Sequence, residues 1–169
     1  MVARATVAKK LLFMVYKNID PSNYAQQNYR LIHDIYVLMD AIDRSVLQQF
    51  DLTASQFRVL TLLAAEPEWR LIDLSQAMLC VRSTVTRIID SLEAAGLVSR
   101  IDHPADRRAQ RLTITSNGLN VLDRAQAAHS QALQQSLGIA DVAAQENLMR
   151  LLQSLRTHLS LHLDQIDVT

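Results

Sequence analysis

A change in the spacing of apolar residues at Gly96 constrains the fold more than any other feature of the sequence. Before Gly96, apolar residues recur at the 3.6-residue period of one helix face and predict an amphipathic helix from about Arg82 to Ala95. These positions are Val85, Ile88, Ile89 and Leu92. After Gly96, apolar and polar residues alternate over Val98–Asp102 and Arg111–Thr115, which predicts the two strands of a hairpin. Gly96 itself stands where a left-handed residue commonly ends a helix.

Helical patterns also cover most of the remaining chain. Only three Gly and three Pro interrupt 169 residues, and the abundance of Leu, Ala and Gln favours helices over strands. We predict further helices at about 24–50, 53–66, 72–79, 116–137 and 141–163, and a very short strand at 69–71. Thr53 and Gln56 have the spacing of a capping box, and Asp141 is placed to cap the last helix.

The front of the helix at 82–95 carries residue types that suit duplex DNA. A helix fits the major groove, where each base pair presents a distinct pattern of donors and acceptors. Arginine can contact guanine or phosphate, and hydroxyl groups can contact phosphates or base edges. The candidate DNA-binding residues on this helix are Arg82, Ser83, Thr84, Thr86 and Arg87. Asp90 and Glu93 lie later on the helix, away from its DNA-proximal end.

The loop of the predicted hairpin carries two adjacent arginines, Arg107 and Arg108, although the whole chain has no net charge. Such a tip can reach the minor groove, where narrow A·T tracts concentrate negative potential. Pro104 stiffens the loop and lowers the entropy lost on docking. A carboxylate of Asp102 or Asp106 can hold one arginine and so orient the other, and the sequence leaves open which arginine is held.

Four segments between residues 52 and 118 read "LTASQFRVLTLLA", "LIDLSQAM", "STVTRIIDSLEAAGLVSR" and "DHPADRRAQRLTITSNG". Together they resemble the MarR-type transcriptional regulators. The resemblance implies a mainly α fold with a small β wing, in which a winged helix-turn-helix at 51–115 lies between helical dimerisation regions at 21–50 and 116–169. It also implies a homodimeric repressor that binds a pseudo-palindrome of double-stranded DNA and is released by a small aromatic or anionic effector.

The apolar content of the flanking helices supports a dimer independently of the resemblance. These helices carry more Leu and Ile than a winged domain of about 65 residues can cover, and a leftover apolar face generally means a partner. We expect the extension at 1–20 to pack across the partner subunit; the alternative is a frayed tail. From placement alone, Tyr36, Met39, Arg58 and Trp69 are candidates for lining an effector pocket.

Cysteine and histidine leave two further alternatives. Cys80 is either a small buried apolar residue or a redox sensor whose oxidation would displace the neighbouring helix. His158 and His162 lie four residues apart on the last predicted helix, but no further ligands have suitable spacing. We therefore expect neither a metal nor a cofactor.

Other function classes find little support in the sequence. A Gly-rich phosphate loop, a nucleophile elbow and a His-Glu-x-x-His helix are all absent, so we do not expect an enzyme. The longest apolar run, Leu11–Tyr16, is too short to span a bilayer, and a single cysteine fits a reducing compartment, which predicts a cytoplasmic protein without a membrane partner. A winged-helix module that docks another protein is the alternative function, and it would favour large apolar residues over the hydroxyl groups and arginines at 82–87.

Overall fold

The computed structural model describes residues 23–66, 68–103, 106–138 and 141–166, and gives the backbone alone for 102, 103, 106–110, 164 and 166. The predicted extension at 1–20 lies outside the described residues. The described elements are α1 (Tyr24–Leu47), α2 (Ala54–Ala65), β1 (Trp69–Arg70), α3 (Leu71–Ala77), α4 (Arg82–Ala94), β2 (Val98–His103), β3 (Asp106–Ile114), α5 (Ser116–Leu137) and α6 (Val142–Ile166). A single 3-10 turn at Gln48–Phe50 follows α1.

The chain divides into two compact units. The first extends to Ala125 and contains α1 to α4, the three strands and the beginning of α5. The second begins at Gln126 and contains the rest of α5 and all of α6. The finer prediction of a winged domain at 51–115 between two dimerisation regions stays a prediction.

The first unit is organised around an apolar core that α2, α3, α4 and β3 share. Leu60, Leu74 and Ile89 are fully buried, and Leu112 of β3 is 2% exposed. Burying a side chain of this size stabilises a fold by about 1.5–3 kcal/mol relative to leaving it in water. This core holds α4 by its back and leaves the opposite side of the helix outward.

Local signals in the sequence set the ends of the helices as predicted. The Thr53 hydroxyl accepts from the Gln56 amide at 3.2 Å, and the Gln56 side-chain oxygen accepts from the Thr53 amide at 2.8 Å, which completes the capping box. Gly96 has a φ of +70° and ends α4 in the left-handed region. The Asp141 carboxylate accepts from the Ala143 amide at 3.1 Å at the start of α6.

The three strands form an antiparallel sheet in the order β1-β3-β2. Trp69 pairs with Leu112, and Arg100 on the opposite strand pairs with the same residue. The prediction that Arg107 and Arg108 lie on the hairpin loop is wrong for the backbone, because β3 already begins at Asp106. Backbone pairing needs no alternation of side chains, so the ladder continues through polar residues to the Asp102–Gln110 pair, and the last pair, His103–Asp106, follows a register shift.

Across the described part of the chain, every helix is either too short or too polar to cross a lipid bilayer.

Candidate nucleic-acid interface

The helix pair α3–α4 has the arrangement of a helix-turn-helix. The turn residues Met78 to Val81 connect the two helices, and the Cys80 amide donates to the Ser75 carbonyl at 3.0 Å across the turn. On the back of α4, Val85, Ile89 and Leu92 are completely buried. Because three successive turns of the helix are anchored in this way, the core fixes the angle of α4 and the direction of its outer side.

A polar contact adds to this apolar anchoring. The Gln56 side-chain amide, which already takes part in the capping box of α2, donates to the Ser91 hydroxyl on α4 at 3.0 Å. The start of α2 and the last turns of α4 are thereby held together by a directional bond as well as by apolar packing. Sequence reasoning found the capping box but not this second bond of Gln56, because the bond joins residues 35 positions apart.

The predicted DNA-binding residues of α4 lie together on its outer side, which we call the α4 front (Arg82, Ser83, Thr84, Thr86 and Arg87). Arg82, Ser83 and Arg87 are exposed, whereas the two threonines are partly buried. The Thr86 hydroxyl donates to the Arg82 carbonyl at 2.9 Å and keeps its lone pairs available as acceptors. Within the described residues, no carboxylate pairs with Arg82 or Arg87, so both guanidinium groups face solvent without a neutralising partner.

The acidic residues of α4 are both paired with one arginine that sequence reasoning missed. Arg100 on β2 donates one guanidinium nitrogen to Asp90 and another to Glu93. We call these three residues the Arg100 clamp. The Arg100 side chain is 26% exposed, so the clamp is partly shielded from water. The clamp joins the first strand of the wing to α4 across the tight turn at Gly96, and its single positive charge compensates one of the two negative charges on the helix that carries the α4 front.

A second group of charges lies at the base of the wing. Arg70 donates two nitrogens to the Asp73 carboxylate, both at 2.6 Å. The Arg70 hydrogen bonds, together with the charges of Arg70 and Arg111, hold the pKa of Asp73 below its usual value. Arg111 stands opposite Arg70 in the sheet and donates to the Glu68 carbonyl at 3.1 Å. The negative charge of Asp73 therefore offsets part of the repulsion between two arginines that the strand register places side by side.

Close packing at Gly118 connects the wing to α5. The Thr115 hydroxyl donates to the Gly96 carbonyl at 2.8 Å and accepts from the Gly118 amide at 2.9 Å. A Cβ atom on Gly118 would lie 2.1 Å from the Leu97 carbonyl oxygen, well inside any permitted contact. Glycine is thus required where α5 begins against the end of the α4–β2 turn.

The remaining predicted wing residues are located only by their backbone. Arg107 and Arg108 are the second and third residues of β3, close to the end of the hairpin. Their side chains, and those of Asp102 and Asp106, lie outside the described part of the structure. Which arginine a carboxylate holds therefore stays open, as it is in the sequence.

The four residues predicted to line an effector pocket have separate environments. Arg58 donates to the Ala77 carbonyl at 3.2 Å, and the Trp69 indole donates to the Leu62 carbonyl at 3.0 Å. Tyr36 is 65% exposed on α1, and Met39 is partly buried. An open cavity of about 460 Å³ in the second unit is lined by other residues, among them Val142, Met149 and Arg156. The predicted pocket stays a prediction.

Cys80 is exposed, so the alternative in which it is a small buried apolar residue is wrong. It lies in the turn between two helices, where the backbone rather than the side chain makes the contact with Ser75. The redox alternative for Cys80 stays a prediction. Among the residues that the structure describes, no three His, Cys, Asp or Glu side chains are grouped as metal ligands, His158 and His162 included.

Comparison with known proteins identifies the same region. The MarR family model matches residues 52–109, from just before the capping box into β3. The HTH-type transcriptional regulator PrsX of Escherichia coli is 34% identical over 94 residues, which cover 56% of this chain and 54% of PrsX. The chain thus spans about half the length of the curated relatives it first matches. Such relatives are named as transcriptional regulators, in agreement with the prediction that the chain is not an enzyme.

Solved structures extend the likeness over most of the chain. The structure of Bordetella bronchiseptica BpsR, which concerns regulation of its DNA binding by 6-hydroxynicotinic acid, is 27% identical with a TM-score of 0.70 and covers 81% of this chain and 98% of its own. A cysteine-to-serine mutant of Escherichia coli MarR complexed with operator DNA is 25% identical with a TM-score of 0.64, covering 79% and 99%. The predicted fold, mainly α with a small winged sheet, is confirmed.

Proposed function

Because the chain belongs to the MarR family, we propose that it is a homodimeric transcriptional repressor that binds a pseudo-palindromic operator in duplex DNA. In this proposal α4 lies in the major groove, and the end of the β2–β3 hairpin, with Arg107 and Arg108, lies against the adjacent minor groove. Arg82 and Arg87 contact guanine edges or phosphates, and the hydroxyl groups of the α4 front contact phosphates or bases.

One observation carries the proposal above all others. The back of α4 is completely buried at three positions, while Arg82 and Arg87 on its front are exposed and unpaired within the described residues. The acids of the same helix are meanwhile held by Arg100. The helix therefore presents positive charge on the side away from the core, although the net charge of the whole chain is zero. A surface of this kind suits a polyanion with a groove wide enough for a helix.

The homodimer is supported by the apolar surface of the first helix. Along α1 only Leu47 is buried, while large apolar side chains face solvent over several turns. They include Leu31, Ile32, Ile35, Tyr36 and Leu38, each 40% exposed or more. Monomeric proteins rarely expose continuous apolar surface of this extent, and a second copy offers the same surface in return.

The last helix has the same character when it is considered by itself. Large apolar side chains along α6 are exposed over most of its length, namely Leu148, Met149, Leu151, Leu152, Leu159, Leu161 and Leu163. In a two-fold dimer formed by such helices, the two α4 helices would contact successive turns of DNA, about 34 Å apart. That spacing explains why a pseudo-palindrome is the expected form of the operator.

We further propose that a small aromatic or anionic effector releases the DNA. The support is the likeness to BpsR, whose DNA binding is the subject of regulation by an aromatic acid. Tyr36, Met39, Arg58 and Trp69 remain the candidate residues for this site.

Selection of a binding site from random duplexes, followed by fluorescence anisotropy across a range of salt concentrations, tests the DNA function. Arg82→Gln and Arg87→Gln should each weaken binding by about 1–3 kcal/mol per contact. Where the lost contact is to a phosphate, the salt slope of the dimer should fall by about two, one for each subunit. Arg150→Gln on α6 removes the same charge far along the chain and serves as the matched control.

The outcomes separate the parts of the proposal. Wild-type protein that binds no duplex at low salt would reject the DNA function. If the α4 variants and the control weaken binding equally, the proposal that α4 is the helix in the major groove is rejected. Unchanged affinity in both Arg107→Ala and Arg108→Ala would reject the wing contact. Sedimentation velocity measures the dimer directly, and a monomer at working concentrations would reject the two-fold arrangement.

A further inference from the structure

Two large apolar side chains are exposed in the turn that leads into α4. Leu79 is 82% exposed and Val81 is 69% exposed, whereas Met78 just before them is 8% exposed. Val85, one turn into α4, is completely buried. Burial of apolar side chains in the core therefore stops at Met78 and resumes at Val85, and the chain holds leucine and valine in water directly beside the α4 front.

Val81 is the N-cap residue of α4, and its side chain cannot perform that role. It has extended backbone angles (φ −66°, ψ 145°) and makes no side-chain capping bond. Ser, Thr, Asn and Asp are preferred at this position because their oxygen accepts from a free amide of the first turn. The chain uses such a residue, Thr53, to begin α2. Val81 thus contributes neither a cap nor apolar burial to the folded chain.

Leu79 breaks a second local rule. Its φ of +52° lies in the left-handed region that residues with a Cβ rarely adopt. Glycine or asparagine would fit this turn with less strain. Both Leu79 and Val81 are therefore unfavourable choices for local structure, and local rules are most often broken where function requires it.

The position of Val81 indicates what its side chain contacts. In a helix-turn-helix, the N-terminal residues of the reading helix approach the base edges. Thymine is the only base that presents a methyl group in the major groove, and apolar side chains contact it there. Arg82, the next residue, is exposed and can pair with a neighbouring guanine or phosphate. An apolar side chain immediately before a DNA-facing arginine is thus placed to bury a thymine methyl.

We propose that Val81 packs against the C5-methyl group of one thymine in each half-site and is a specificity-determining residue of the operator contact. This inference rests on the proposed function, because it requires α4 to lie in the major groove. It adds a base-reading contact without charge to the arginine and hydroxyl contacts of the α4 front.

Replacing each thymine of the selected site by deoxyuridine tests the contact. Deoxyuridine keeps the base pairing and the phosphate and removes only the methyl group. When the contacted thymine is replaced in one half-site only, the wild-type protein should bind the deoxyuridine duplex about four-fold more weakly, the effect of one buried methyl group. For Val81→Ala, thymine and deoxyuridine at that position should bind equally. The salt slope of Val81→Ala should equal that of the wild type, because no charge is lost.

Val81→Ser provides a second and opposite readout. Serine can cap α4, so this variant should melt at a higher temperature than the wild type while it loses the preference for thymine. Leu79→Ala is the matched control: it removes an exposed apolar side chain from the same turn and should keep the four-fold preference.

Each result decides the proposal. A preference for thymine that is lost in Val81→Ala and kept in Leu79→Ala supports it. Three outcomes would overturn the assignment to Val81 and leave the DNA function standing. In the first, no deoxyuridine substitution weakens binding of the wild-type protein. In the other two, the preference for thymine survives in Val81→Ala, or it is lost in Leu79→Ala. Wild-type protein that binds no duplex would overturn the proposed function and this contact together, and the exposed turn would then fit a protein partner.

Discussion

The Arg100 clamp is expected to support both the stability of the first unit and its affinity for DNA. The variant Arg100→Gln tests this expectation, because it removes the charge that holds the clamp together. The substitution removes two ion pairs, from Asp90 and from Glu93. An exposed ion pair contributes about 0.2–1 kcal/mol. Because Arg100 is 26% exposed whereas the carboxylates are 54% and 38% exposed, screening by water is only partial, and the upper part of that range applies to each pair.

The expected loss is therefore about 1–2 kcal/mol for the two pairs together. At about 2–4 °C per kcal/mol for a chain of this length, the melting temperature should fall by about 2–8 °C. Thermal denaturation followed by circular dichroism measures this change. Combining Arg100→Gln with Asp90→Asn and with Glu93→Gln in double-mutant cycles gives the coupling energy of each pair without the other effects of substitution.

DNA affinity should fall by more than the stability change explains. Arg100→Gln leaves Asp90 and Glu93 uncompensated on the helix that we propose to face DNA, and their charges would repel phosphate. The triple variant with Asp90→Asn and Glu93→Gln should recover the affinity, because neither helix position then carries a negative charge. Zero coupling in both cycles, or an Arg100→Gln variant that binds DNA as the wild type does, would refute the account of the clamp.

Three further changes probe the scaffold that holds the site. Gly118→Ala should destabilise the first unit by about 1–3 kcal/mol in chemical denaturation, because the new Cβ would lie 2.1 Å from a backbone oxygen. A variant as stable as the wild type would mean that the start of α5 can shift to accommodate the Cβ atom. Thr53→Ala should cost about 0.5–2 kcal/mol by loss of the capping box, and Thr53→Ser, which keeps the hydroxyl, should cost less. Asp73 has a lowered pKa in the folded chain, so its contribution to stability is present above its ordinary pKa of 3.8 and disappears as the pH falls through the folded value. Asp73→Asn should therefore flatten the dependence of unfolding on pH in that acidic window, and a wild-type acid profile in this variant would contradict the ion pair with Arg70.

Sequence reasoning predicted those parts of the fold that short-range rules determine. The period of the apolar residues placed α4 at Arg82–Ala94, within one residue of the predicted end. The capping box at Thr53 and the left-handed residue at Gly96 were also predicted, because the residues concerned are three positions apart or act through their own backbone. The burial of Val85, Ile89 and Leu92 followed from the same period.

The features that sequence reasoning missed depend on pairing between distant segments. β3 begins as early as Asp106 because Asp106 pairs with His103 of β2 after a register shift, and nothing in the polar stretch around Arg107 and Arg108 itself signals a strand. The Arg100 clamp needs the turn at Gly96 to bring β2 back toward α4. A signal for the clamp was nevertheless present, since one arginine on an alternating strand follows two acids on a helix across a tight turn.

The first residues of α2 and α4 differ in whether they serve the stability of the fold or the proposed contact with DNA. At α2, Thr53 satisfies a free amide, and its partner Gln56 also donates to Ser91, so each choice serves the fold. At α4, Val81 leaves the amides of the first turn without a side-chain acceptor and places an apolar side chain in water. Selection for stability alone would favour at α4 the same kind of residue that begins α2. Because the unfavourable choice stands beside Arg82, for which no described carboxylate is a partner, rather than in the core, its compensation is expected from a bound partner, and a groove lined by thymine methyl groups would supply it.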